Sequence, residues 1–63
     1  MTIVKVTYMD PKWITKNVEF TSNDFSFPLD YLDSCTLISV VMNRFMARFS
    51  SDCEIVAIEI IAR

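Results

Sequence analysis

Residues 34–62, SCTLISVVMNRFMARFSSDCEIVAIEIIA, change their hydrophobic period half-way, and that change decides the fold. In the first part Leu37, Ile38, Val41, Met42, Phe45 and Phe49 fall on one stripe at helical spacing, from about Asp33 or Ser34 to about Phe49. Ser50-Ser51-Asp52 interrupts the pattern. From Cys53 to Ala62 the period becomes two, with Val56, Ile58 and Ile60 on one face and Ile55, Ala57 and Ile61 on the other. Apolar residues on both faces predict a strand that is central or covered on its second side.

Upstream, two further stretches alternate. Thr2 to Met9 sets Val4, Val6 and Tyr8 against Lys5 and Thr7, and Ile14 to Thr21 sets Ile14, Val18 and Phe20 against Thr15, Asn17 and Glu19. Asp10-Pro11 separates them, since proline lacks a backbone donor and presets φ for a turn. Pairing Tyr8 with Ile14, Val6 with Lys16, Val4 with Val18 and Thr2 with Phe20 brings the apolar faces together, across a five-residue loop from Met9 to Trp13.

The stretch from Thr21 to Asp33 is irregular. Ser22-Asn23-Asp24 reads as a turn, and Ser26 is placed to cap a short helical turn with Pro28 near its start. Phe25, Phe27 and Tyr31 lie on this segment, which suits a flap over the core or a recognition element. The order strand, strand, helix, strand, joined by a right-handed crossover, predicts one α+β domain over residues 1–63. Its sheet has three antiparallel strands in the order 2-1-3 (ββαβ), with one helix packed on one face.

Composition narrows the chemistry. The 63 residues contain no His and no Gly. The commonest general base is therefore missing, and so are the glycines of a phosphate-binding loop. Cys35 and Cys53 are the only cysteines. Two thiols fall short of a structural zinc site, and we expect both to be buried and inert. Asp30 and Asp33, three apart, suit the start of a helix better than a catalytic dyad. No catalytic, cofactor-binding or metal-binding residue is expected, and no enzymatic activity. The net charge of −2, from six basic and eight acidic residues, lacks the cationic stripe of a nucleic-acid binder. Lys5 and Asp10 interrupt the opening apolar residues, and no stretch has the roughly 20 apolar residues of a membrane span. The expectation is a cytoplasmic protein with no membrane partner.

Hydrophobic residues make up 52% of the chain, more than a body of this size can easily hide. An interface is therefore expected. The helix face opposite the apolar stripe carries Thr36, Val40, Asn43, Ala47 and Ser50, small or neutral residues without charge. Such a smooth face admits a close neighbour. Asn43 on it is either solvated or hydrogen-bonded to a partner. Trp13 at the hairpin tip either folds back beside Met9 or stands out as an anchor, as exposed aromatics do at binding hot spots.

Four short segments resemble the Dmd family of small antitoxins from T-even bacteriophages. They are the opening Met1, Val4-Lys5-Val6 and Tyr8-Met9; Asn23-Asp24-Phe25-Ser26-Phe27; Asn43-Arg44-Phe45-Met46-Ala47-Arg48; and Cys53-Glu54-Ile55. The resemblance implies a phage protein that binds and neutralises a bacterial endoribonuclease toxin of the RNase LS type, and a small rigid body with an uncharged helix face and exposed aromatics can do so by filling the active-site cleft. It implies partner-binding roles for the helix asparagine, here Asn43, and for a middle-segment aromatic. The family has Trp at that place, where this chain has Phe27, with Tyr31 as the competitor. Trp13, Val40 and Ala47 complete the expected partner-binding set. Two other outcomes remain: a self-associating module that dimerises through the edge of the third strand, and an inhibitor of another host-defence nuclease.

Overall fold

A computed structural model describes all 63 residues, as a body of 36 × 20 × 19 Å. Three strands, β1 (Ile3–Met9), β2 (Thr15–Thr21) and β3 (Glu54–Ala62), form one antiparallel sheet in the order β2-β1-β3. One helix, α1 (Ser34–Arg48), packs on one face. This is the expected α+β architecture and strand order. Because β1 lies in the middle, its even positions Val4, Val6 and Tyr8 face the core, where they meet Phe20 of β2 and Leu37, Val41 and Phe45 of α1. Each fully buried apolar side chain of this kind stabilises the fold by about 1.5–3 kcal/mol.

The hairpin differs from expectation by two residues. Val6 pairs with Val18, Val4 with Phe20 and Met9 with Thr15, so the five-residue loop is Asp10–Ile14. A shift of two keeps every side chain on its expected face. The cause is Asp10, whose carboxylate accepts the backbone N–H groups of Lys12 and Ile14, both at 2.9 Å. Its own backbone N–H donates to the Ile14 carbonyl, and Trp13 N–H donates back to the Asp10 carbonyl. Ile14 is spent in the turn and exposed rather than facing the core. Lys16, opposite Tyr8, reaches the Asp10 carboxylate at 3.2 Å.

The third strand is an edge strand, neither central nor covered. Its pairing with β1 slips twice, between Thr7 and Tyr8 and between Ile3 and Val4, which leaves Val56 and Ile61 unpaired opposite β1. These bulges shift the phase of the alternation. Ile55, Ile58 and Ile60 pack against the core, while Val56 and Ile61 are exposed. The two-faced apolar pattern thus records two register shifts.

Asp33 caps α1 by accepting the Thr36 N–H, and Phe49 closes the helix by donating to the Phe45 carbonyl. Ser26 and Pro28 start no helical turn. A single 3-10 turn, η1 (Ser22–Asp24), forms instead, closed by a capping box. The Thr21 hydroxyl accepts from Asn23 N–H, and the Asp24 carboxylate accepts from Thr21 N–H at 2.9 Å. The irregular segment then dives inward at Leu29, which is fully buried with its N–H on the Ser22 hydroxyl. At the far end the buried Thr2 hydroxyl donates to Asp30, and the Arg63 side chain donates to the Leu32 carbonyl. Segment 25–33 is therefore pinned at both ends. No helix is long and apolar enough to cross a membrane.

Candidate docking site

Pinning this segment against α1 creates an open recess of about 300 Å³, lined by Phe25, Phe27, Val40, Asn43, Arg44 and Ala47. Helical geometry puts Val40, Asn43, Arg44 and Ala47 on adjoining turns, because residues three and four apart are neighbours. The opposite wall comes from Phe25 and Phe27, two apart on the bent segment that leaves η1. Four of the expected partner-binding residues, Phe27, Val40, Asn43 and Ala47, are thereby brought together.

An aromatic file leads from the core to this surface. Phe20 is fully buried, Phe25 lies 6.3 Å from it, and Phe27 lies 5.6 Å from Phe25, centroid to centroid. Phe27, the outermost ring, is 41% exposed. Rings in such tilted contact are worth about 0.5–1.5 kcal/mol beyond their burial, so Phe27 is held in place by the ring behind it. Two arginines lie along the file. Arg48 sits over Phe20 at 5.7 Å and meets the Asp24 carboxylate at 3.6 Å, and Arg44 sits over Phe25 at 5.1 Å.

Val40 belongs to the wall and not to a wholly exposed face: it is half-buried and packs on the core. Asn43 and Ala47 are exposed as expected. Tyr31, 88% exposed, and Trp13, 75% exposed, do not line the recess. Trp13 stands out from the hairpin tip beside a separate depression formed with Met9, Asp10, Pro11, Asp52 and Glu54. A third groove, of about 330 Å³, runs on the β3 side of α1 past Met42, Phe45, Met46, Cys53 and Ile55.

Phe25, expected with Phe27 and Tyr31 on a flap or recognition element, and Arg44 also line the recess, and neither belongs to the expected partner-binding set. Their signals were available, Phe25 through its spacing of two from Phe27 and Arg44 through its place one turn after Val40. What the sequence lacked was the path of segment 25–33, which brings them together. The other candidate groups have structural work. Asp33 caps α1, and hydrogen bonds from the Thr36 hydroxyl and N–H hold its carboxyl below the usual range. The Thr2 hydroxyl does the same for Asp30. Cys53 is half-buried, but Cys35 is exposed on the first turn of α1, contrary to the expectation of two buried thiols. The stripe assigned to the core leaves position 35 on the solvent side. Comparison with models of protein families, with curated proteins and with solved structures found no match.

Proposed function

We propose that this chain is an antitoxin-like inhibitor that binds a bacterial endoribonuclease of the RNase LS type in the cytoplasm of an infected cell and occludes its active-site cleft. The observation that carries the reading is the convergence of Phe27 and Asn43 on one recess. The resemblance to the Dmd antitoxins implies toxin contacts for a middle-segment aromatic, Phe27 or Tyr31, and for this helix asparagine, and Phe27 is the one that shares the recess with Asn43, 16 positions away in the chain. Their joint place beside small, uncharged Ala47 and half-buried Val40 supports a docking surface with an aromatic anchor, an amide for hydrogen bonding and room for close approach.

The proposed mechanism is steric. A narrow body with a pinned surface loses little conformational freedom on binding, so most of the contact energy remains available for affinity. The chain supplies no chemistry in this scheme. The alternative of self-association draws on the free β3 edge, with Val56 and Ile61 exposed. Two bulges on that strand oppose continuous pairing with a second copy, because bulging is a common protection of free edges.

Pre-incubation of a purified RNase LS-type toxin with the chain, followed by an RNA-cleavage time course, tests the proposal. Cleavage should fall in proportion to added chain and stop near one chain per toxin. Undiminished cleavage with a large excess of folded chain would refute it for this toxin class.

A further inference from the structure

Two arginines lie over two phenylalanines of the same aromatic file, but only one has an acid. Arg48, over Phe20, is paired with Asp24 at 3.6 Å. Arg44, over Phe25, meets no carboxylate of this chain. Its guanidinium nevertheless lies 5.1 Å from the Phe25 centroid and lines the recess with Phe27 and Asn43. Contact with an aromatic ring is a favourable setting for a guanidinium and leaves its edge donors for a planar, two-oxygen acceptor. The recess thus combines apolar walls, an amide and an unpaired cation, on a molecule whose net charge is −2.

We propose that the recess receives a carboxylate side chain of the partner protein, an Asp or Glu next to an apolar residue, which pairs with Arg44 while the apolar neighbour packs on Phe27. The carboxylate occupies with respect to Arg44 the role that Asp24 has with respect to Arg48. A single cation among apolar walls matches one carboxylate, whereas an RNA backbone calls for a series of cations along its path. This inference rests on the reading of the recess as the docking surface, and it adds the chemistry of what docks there.

A pair of small probes tests it without the toxin. 3-Phenylpropionate and its neutral isostere 3-phenylpropionamide are titrated into the 15N-labelled chain. Chemical shifts of the Arg44 Nε–H, the Asn43 side-chain amide and the backbone around Phe27 are followed. The acid should bind roughly three- to ten-fold tighter than the amide at low salt and perturb these groups first. The preference should vanish in Arg44→Gln, persist in reduced form in Arg44→Lys, which keeps the charge and loses the fork, and shrink in 0.5 M NaCl. Backbone spectra of each variant establish that it is folded.

Equal binding of acid and amide, shifts centred away from the recess, or no saturation by either probe would overturn the proposal. So would tighter binding of uridine monophosphate than of phenylpropionate at the same residues, which would assign the recess to a nucleotide. The two readings fail separately. Inhibition of the toxin without acid preference removes only the carboxylate, whereas acid preference without inhibition removes only the toxin.

Discussion

Trp13 has φ of +65°, the one non-extended positive value in a chain that has no glycine. It occupies the left-handed position that follows a type I turn in short hairpin loops, a place glycine fills without steric cost. A bulky residue there costs about 1–2 kcal/mol, and with its ring 75% exposed Trp13 recovers little of that through packing. Trp13→Gly should therefore leave chemical stability equal or raise it by up to about 1 kcal/mol, read from urea melts. A loss greater than about 1 kcal/mol would show that the indole supports the fold. Carboxylates make the second prediction at this scale. Hydrogen bonds hold Asp10 (from Ile14 N–H), Asp30 (from the Thr2 hydroxyl) and Asp33 (from Thr36) below the ordinary value of about 3.9. A folded pKa below the unfolded one gives stability that is complete above the unfolded value and is lost as pH falls through the folded one. With no His to titrate, melting temperature should be level from pH 6 to 7.5 and decline below about pH 4. Asp10→Asn, whose carbonyl can keep the turn, should make that decline shallower; an unchanged acid limb would remove Asp10 from the account.

Among the elements, the helix was legible because its period runs over about four turns, and the strand order because a right-handed crossover from β2 through α1 lays β3 beside β1. The apolar stripe mixes odd positions (Leu37, Val41, Phe45, Phe49) with even ones (Ile38, Met42), which a strand would divide between its two faces and a helix gathers on one. Boundaries and register were less legible. The hairpin register depends on one carboxylate choosing the N–H groups of Lys12 and Ile14, and alternation alone gives the same faces for either register. In β3, two bulges imitate a strand apolar on both sides. Segment 25–33 was the least legible, since its order comes from contacts remote in sequence: Leu29 in the core, Ser22 on its N–H, Thr2 on Asp30 and Arg63 on the Leu32 carbonyl. Leu29 is consequently the element's main anchor. Leu29→Ala should cost about 2–5 kcal/mol, as deletion of a buried leucine does. The change should also raise hydrogen exchange across residues 25–33 more than across α1. A cost below about 1 kcal/mol, with protection of the segment unchanged, would mean that the segment is held by something other than Leu29.

On the scale of the whole molecule, nine buried residues out of 63 support a fold whose total stability is expected at roughly 3–9 kcal/mol. So small a reserve separates the residues that hold the fold from those available to a partner. Phe20, Leu29 and the buried face of α1 belong to the first group, while Asn43, Ala47 and the outer part of Phe27 belong to the second. The recess residues Val40, Asn43 and Ala47 were legible from the uncharged face of the helix, but the recess itself needed the packed path of segment 25–33, and Tyr31 and Trp13 fell outside it. We propose that this recess is the toxin-binding surface and contributes little to folding. The most direct test is calorimetric titration of the toxin with the wild-type chain, Asn43→Ala and Phe27→Ala, paired with a thermal melt of each variant. Asn43→Ala should weaken binding by about 1–3 kcal/mol, the cost of leaving a buried partner unsatisfied, with an unchanged or slightly higher melting temperature because alanine is the better helix former. Phe27→Ala should weaken binding by roughly 2 kcal/mol or more. Wild-type affinity in both folded variants would contradict the claim and move the interface to the Trp13 tip or the β3 side of the helix.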